Sequence, residues 1–116
     1  MAENLAALRF TRRYRASLEE VWQVLTDPAS ISRWLGPPAD VDARMRTVEP
    51  GRVLELDWTR RGEGESLVRL ELAPDGAGTV LVLDHSRLEA RVCMGYFGFW
   101  TPRLDRFGAE LREGRR

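Results

Sequence analysis

Four runs of alternating apolar and polar residues fill the stretch from Val41 to His85, and this pattern constrains the fold more than any other feature. Short turns separate the runs, among them Glu49-Pro50-Gly51 and Pro74-Asp75-Gly76. A period of two is typical of strands with one buried and one solvated face. Because short turns join antiparallel neighbours, the sequence predicts an antiparallel meander whose apolar face another element must cover.

One more strand and two short helices precede the meander. Alternation over residues 8–16 predicts the strand. Ser17 and Glu20 then form an S-x-x-E capping box at the start of one helix. Asp27 followed by Pro28 suits the start of a second helix, with aspartate as the N-cap and proline at the first helical position. Two helices in succession, with no room for a strand between them, are an uncommon order and therefore informative.

The period becomes helical after about Leu88. Apolar residues then recur at steps of three and four, namely Tyr96, Trp100, Leu104, Phe107 and Leu111. At Pro102 either Thr101 caps a fresh helix or a longer helix kinks. We expect the aromatic residues Tyr96, Phe97, Phe99 and Trp100 to belong to the core. Only this helix is long enough to cover the sheet, so the sequence predicts an α+β fold: a curved antiparallel sheet around a long C-terminal helix, with two short helices closing one end.

Composition narrows the class of protein. With 116 residues the chain has the size of one domain, and 43% hydrophobic with 31% charged residues argues against both disorder and a membrane protein. Eighteen basic and eighteen acidic residues cancel, so we expect no nucleic-acid partner. One cysteine, and no apolar run after a basic start in residues 1–10, favour a cytoplasmic protein without a signal peptide.

Two motifs carry a family resemblance. Residues 21–28 (VWQVLTDP), followed by residues 34–37 (WLGP), resemble the signature of the SRPBCC (START-like, Bet v 1-like) superfamily. Arg12-x-Tyr14-x-Ala16, His85-Ser86, and Trp100 with Leu104 are similar to its branch of activator of heat-shock-protein-90 ATPase homologues. The resemblance covers nearly the whole chain. It implies one domain over residues 1–116 with the helix-grip fold and a hydrophobic cavity.

The chain departs from the resemblance after the WLGP motif. The family usually has two more strands there, whereas here Pro38 is followed almost directly by the next predicted strand. We therefore expect a sheet shortened by about two strands, with one bare edge and part of the cavity wall removed. A bare edge strand is a template for pairing, so the strand Val41–Val48 can serve as a homodimer edge. The alternative is that its alternating charges protect a solvated edge.

Few residues suit covalent chemistry. The chain has one histidine and one cysteine, so we expect neither a metal site nor a cofactor. Ser86 neighbours His85, and adjacent residues on a strand point to opposite faces, which argues against a serine nucleophile. The glycines of the turns are not followed by a helix, so they cradle no phosphate.

Arg12 and His85 are the polar residues that could face a ligand. Both have the inward parity of their strands. In a functional interpretation they orient a carbonyl or carboxylate at the mouth of the cavity. In a structural interpretation Arg12 pairs with a carboxylate such as Asp27 or Asp84, and His85 donates to a backbone carbonyl.

We expect the protein to bind a small hydrophobic or lipid-like molecule between the sheet and the last helix, without covalent chemistry. The residues expected to line this site are Arg12, Trp34, Met45, Leu56, Trp58, Leu70, Leu83, His85, Tyr96 and Trp100. One alternative is a polyketide cyclase or aromatase-like enzyme in which Arg12 and His85 polarise a carbonyl or move a proton. Another, implied by the branch name, is a chaperone-interaction module. An interior packed solid by large side chains would exclude the binding role.

Overall fold

The structure, a computed structural model, describes residues 5–114 and confirms the predicted α+β architecture. The elements are β1 (Leu5–Tyr14), α1 (Leu18–Thr26), α2 (Pro28–Trp34), β2 (Val41–Glu49), β3 (Val53–Arg60), β4 (Glu65–Asp75), β5 (Gly78–Glu89) and α3 (Ala90–Gly114). The strands form one five-stranded sheet in the order β1-β5-β4-β3-β2. All four pairings are antiparallel. The meander is therefore as predicted, and β1 and β2 are the two edges of the sheet.

The predicted helix starts are present. Ser17 and Glu20 form the capping box at α1, and the side chain of Asp27 accepts the backbone N–H of Ser30 at α2 over 3.0 Å. Two arginines of α3 satisfy carbonyls at the other end of α2: Arg103 donates to the Leu35 carbonyl over 2.8 Å, and Arg106 donates to the Trp34 carbonyl over 3.3 Å. These bonds attach α2 to the long helix.

The long helix α3 runs without interruption through Pro102, so the longer helix, not a fresh start at Thr101, is the one observed. Proline has no N–H to donate one turn back. Side chains on either side of it donate to neighbouring carbonyls, Thr101 to the carbonyl of Phe97 over 2.9 Å and Arg103 to that of Phe99 over 3.0 Å. Within residues 5–114, no helix is both long and apolar enough to span a bilayer.

The prediction that Phe97 is a core residue was wrong. Tyr96 and Trp100 face the sheet and are buried, whereas Phe97 is 52% exposed. The next residue along a helix is turned by about 100°, which carries Phe97 away from the sheet. Its ring lies 5.4 Å from that of Phe10, at the rim of the core.

A bulge in β5 was not predicted. Leu8 pairs with His85 but Ala6 pairs with Leu88, so two residues of β5 lie opposite one of β1. The extra residue allows both His85 and Leu88 to point inward, although they are three positions apart. Arg87, inside the bulge, has a φ of 59°, a left-handed conformation that is rare for residues other than glycine.

Candidate ligand-binding site

The space under the sheet is filled where α3 covers it and hollow beside α2, so the cavity does not lie between the sheet and the last helix as expected, and Trp100 is its one lining residue from α3. The filled end is an aromatic cluster made of Trp58, His85, Tyr96, Phe99 and Trp100, whose rings meet at tilted or edge-to-face angles with centroids 4.5 to 6.4 Å apart. The hollow end is an apolar cavity of about 180 Å³. Trp100 belongs to both, so its indole ring separates the two regions.

In the aromatic cluster, both ring nitrogens of His85 are hydrogen bonded. The indole N–H of Trp100 donates to Nδ1 over 2.9 Å, and Nε2 lies 2.8 Å from the hydroxyl of Ser66. An indole can only donate, so Nδ1 carries no proton and the proton of the neutral ring is on Nε2. Nε2 then donates to Ser66, whose hydroxyl donates to the Trp58 carbonyl over 3.2 Å.

Burial keeps this histidine neutral. His85 is fully buried, and the loss of solvation lowers its pKa to about 4. The group can therefore neither supply nor take up a proton readily near neutral pH. The structural interpretation expected His85 to donate to a backbone carbonyl; the ring instead bonds to the Ser66 hydroxyl, which in turn donates to the Trp58 carbonyl.

A second chain of hydrogen bonds reaches the surface. The indole N–H of Trp58 donates to the hydroxyl of Tyr96 over 3.0 Å, and that hydroxyl donates to the carboxylate of Glu63 over 2.7 Å. Burial, followed by the hydrogen bond to Glu63, raises the pKa of Tyr96 to about 12. The phenol therefore stays protonated and keeps donating over the whole physiological range.

The apolar cavity lies between α2 and the β2 side of the sheet. Its walls are hydrocarbon side chains from α1, α2 and the segment after it, from β2, β3 and β4, and from α3: Leu25, Ile31, Trp34, Leu35, Pro37, Ala43, Met45, Leu54, Leu56, Leu70 and Trp100. The N–H of Trp100 is taken by His85. The indole N–H of Trp34 is buried without a partner. A ligand here would meet hydrocarbon walls and at most one available donor.

The ten predicted site residues fall into three groups. Five of them line the cavity: Trp34, Met45, Leu56, Leu70 and Trp100. Four are buried in the core outside the cavity lining: Trp58, Leu83, His85 and Tyr96. Arg12 lies apart from both groups. The strand parities thus identified the face of the sheet, whereas the position along each strand decided which residues reach the cavity.

Arg12 and His85 are on paired strands, but the register separates them. The residue of β1 opposite His85 is Leu8, four positions from Arg12, or about 13 Å along a strand. Arg12 donates to the Thr11 carbonyl over 3.2 Å and lies 5.7 Å from the Phe10 ring. The expected carboxylate partners are engaged elsewhere, since Asp84 pairs with Arg9 over 2.7 Å and Asp27 caps α2.

Six of the eleven lining residues were not among the predicted site residues: Ala43 and Leu54 of the sheet, and Leu25, Ile31, Leu35 and Pro37. The last four belong to the two short helices and the segment after them. The signal that could have found them is the pair of short helices itself, because helices that close one end of a sheet must turn their apolar faces inward. In the part of the chain that the structure describes, no three His, Cys, Asp or Glu side chains are grouped to hold a metal ion.

The fold is shared with several solved structures. CalU16 from Micromonospora echinospora is 27% identical, the match covering 97% of this chain and 85% of CalU16 with a TM-score of 0.82. The AHSA1 protein from Silicibacter pomeroyi is 25% identical, covering 94% of this chain and 99% of that one with a TM-score of 0.81. No protein-family model and no curated protein sequence matches the chain.

A more distant likeness concerns DynU16, a protein in the dynemicin biosynthetic locus. It is 23% identical with a TM-score of 0.80, and the match covers 93% of this chain but 48% of DynU16, so this chain spans about half of that protein. At this identity the likeness bears on the fold alone. This chain has the helix-grip fold, with the expected element order and the sheet around the last helix. Together with the likeness to CalU16 and to the AHSA1 protein, the fold supports assignment of the chain to the SRPBCC superfamily.

Proposed function

We propose that the protein binds a small hydrophobic molecule in the apolar cavity and carries out no covalent chemistry on it. The observation that carries this proposal is a void of about 180 Å³ whose lining is hydrocarbon almost throughout. Because this cavity opens to solvent beside Met45, its hydrocarbon walls are in contact with water. An apolar guest would displace that water and remove apolar surface from solvent, which is favourable.

The volume limits what can enter completely. An engineered apolar cavity of about 150 Å³ in another protein takes up benzene, so the space here suits one aromatic ring or a short alkyl chain. A longer ligand would extend out of the cavity past Met45, which lines it and is 60% exposed. A polar ligand would lose its hydration without gaining partners.

Binding without catalysis is favoured over a cyclase-like reaction because the two candidate catalytic residues are poorly placed for one. His85 uses both ring nitrogens within the protein. Arg12 stands about 13 Å further along the sheet, by strand geometry. Neither residue lines the apolar cavity.

The proposal is tested by titrating the protein with toluene and with indole, following heat release and the melting temperature. The Leu56→Trp variant fills the cavity from the sheet side, and we expect it to weaken binding at least tenfold. Leu5→Trp is the matched control, since Leu5 is 54% exposed on the opposite edge strand. We expect this control to bind as the parent does. Absence of binding by the parent, or equal binding by Leu56→Trp, would overturn the proposal.

A finer placement within the superfamily is also part of the proposal. We infer that the chain is close to the activator of heat-shock-protein-90 ATPase homologues, with a sheet shortened by about two strands. The likeness to the AHSA1 protein and the sequence around Arg12 and Tyr14 support this placement. A chaperone-interaction role would follow from it only if a chaperone co-purifies with the protein from its native lysate.

We propose a cytoplasmic location as well. The support is the use of cysteine, since the single Cys93 has no partner for an internal disulfide. Fractionation of the source cells with an antibody to the protein tests this, and recovery from the extracellular or membrane fraction would contradict it.

A further inference from the structure

We propose that two copies of the chain associate through their β2 strands, which pair antiparallel and extend the sheet across both copies. The second copy then covers the side of the apolar cavity that β2 leaves open. The pairing itself stands on the features of β2. Only its effect on the ligand rests on the proposed function.

The strand β2 has an uncovered apolar inner face. The side chains on this face are Val41, Ala43, Met45 and Val48, opposite inward residues of β3. Met45 is 60% and Val48 46% exposed. Within residues 5–114, β3 is the only element that β2 contacts extensively. A row of exposed aliphatic groups beside unpaired backbone N–H and C=O groups is a surface prepared for another strand.

The other edge of the sheet is different. Helix α3 packs against β1, and the charged residues of β1 are all arginines, namely Arg9, Arg12 and Arg13. Pairing of β1 with a second β1 would bring like charges together, which opposes association. Of the two edges, β2 is therefore the one suited to self-association.

In one antiparallel register, charged residues of β2 lie opposite residues of opposite charge on β2 of the second copy. If Ala43 lies opposite Ala43 of the second copy, then Asp42 of each copy lies opposite the partner's Arg44. On the inner face Val41 then meets the partner's Met45. Opposite charges and apolar pairs directly across two strands both favour the pairing.

The neighbouring register is unfavourable. Centring the pair on Arg44 would place two arginines directly opposite each other, and its only opposite-charge pairs, Asp42 with the partner's Arg46, would lie at the bulge of β2. In addition, the bulge between Met45 and Thr47 ends regular pairing toward the end of β2. The pairing is thus expected over the first half of the strand, where Ala43 and Met45 line the cavity.

The test uses exchange of charge between two exposed positions. Arg44 and Asp42 form an ion pair within the strand over 3.1 Å, with side chains 77% and 60% exposed. The substitution Asp42→Arg places two arginines opposite each other twice per dimer, and Arg44→Asp does the same with two carboxylates. The double variant D42R/R44D restores both the cross-strand and the in-strand pairs.

The measurement is sedimentation equilibrium of the full chain over a wide range of protein concentration, because a strand-to-strand interface is small and its affinity modest. We expect a concentration-dependent dimer for the parent and for D42R/R44D, and at least a tenfold weaker association for each single variant. Charge reversal on the other edge, Arg13→Glu, is the matched control and should leave the dimer unchanged. Circular dichroism verifies that each variant is folded.

A monomeric parent at all concentrations would overturn the proposal, and so would a folded double variant that stays monomeric like the single variants. Toluene titrations of the same samples keep the two proposals apart. Monomers that bind toluene overturn the dimer alone, whereas dimers that do not bind it overturn only the proposed function.

Discussion

The aromatic cluster and the apolar cavity lie side by side under the same sheet, yet one is packed and the other hollow. Each side-chain polar atom of the aromatic cluster has a hydrogen-bond partner, and so does the hydroxyl of Ser66 beside it. The directions of these bonds hold the large rings in one arrangement. In the cavity the walls are mostly aliphatic, and among the described residues no hydrogen bond joins one lining side chain to another.

The difference shows how a small domain can keep an empty space. Stability is concentrated where buried rings pack and buried polar groups are satisfied. The cavity end can then lack some packing contacts while the domain stays folded. Trp100 connects the two, because it donates to His85 on one side and forms part of the cavity wall on the other.

We expect the largest loss of stability from removing a ring of the aromatic cluster. Trp58 is completely buried, so Trp58→Ala should lower the free energy of unfolding by about 4 kcal/mol. Leu56→Ala, on the same strand but at the half-buried cavity wall, should cost only about 1 kcal/mol, because little packing is lost there. Urea unfolding at neutral pH measures both. Equal losses would contradict a division into a packed and a hollow end.

The next largest effect is a dependence of folding stability on pH, which arises from His85 in the aromatic cluster. Burial lowers the pKa of His85 from 6.5 to about 4, so between these values the unfolded chain binds a proton that the folded chain does not. Stability therefore falls as pH falls through this window. Between pH 7 and pH 5 the expected loss is about 2 kcal/mol.

The variant His85→Gln is the control for this prediction, since the chain has no other histidine. Hydrogen bonds from Thr47 and from the Gly64 backbone lower the pKa of Glu55 and of Glu89, respectively, so the stability from these carboxylates is lost at lower pH. We expect the stability of His85→Gln to be nearly constant from pH 7 to pH 5. A parent protein equally constant there would contradict a buried neutral histidine.

The smallest effect concerns the bulge that lets His85 and Leu88 face inward together. Arg87 adopts a φ of 59°, which disfavours a residue with a Cβ by about 1 kcal/mol. Arg87→Gly removes this strain and should raise the melting temperature by a few degrees, about 4 to about 8 °C per kcal/mol in a domain of this size. Arg87→Ala is the control with the Cβ retained. If both variants shift the melting temperature equally, loss of the arginine and not relief of strain is responsible.

Local signals predicted the elements well. The capping box at Ser17, the Asp27-Pro28 helix start and the alternation in the strands depend on neighbours in the sequence, and the structure contains each of them. The bulge at Arg87 was missed because no glycine or asparagine marks the left-handed residue.

The site was harder to predict because it depends on register. Parity correctly placed Arg12 and His85 on the inner face, but only the pairing of β1 with β5 sets the distance between them. The link from Trp100 through His85 to Ser66 joins α3, β5 and β4. No local pattern in the sequence identifies such partners across three elements.

The attachment of α2 to α3 determines how a guest molecule can reach the interior. Moving α2 aside would break the charged hydrogen bonds of Arg103 and Arg106 to its last carbonyls, each contributing about 1.5 to about 3 kcal/mol, and would disturb the stacking of Arg103 on Phe99 at 3.6 Å. On the opposite side the cavity is bordered by Met45 of β2, which is 60% exposed. A guest molecule would therefore enter and leave at the β2 edge of the sheet. In a dimer joined at that edge, uptake and release would require the two copies to separate.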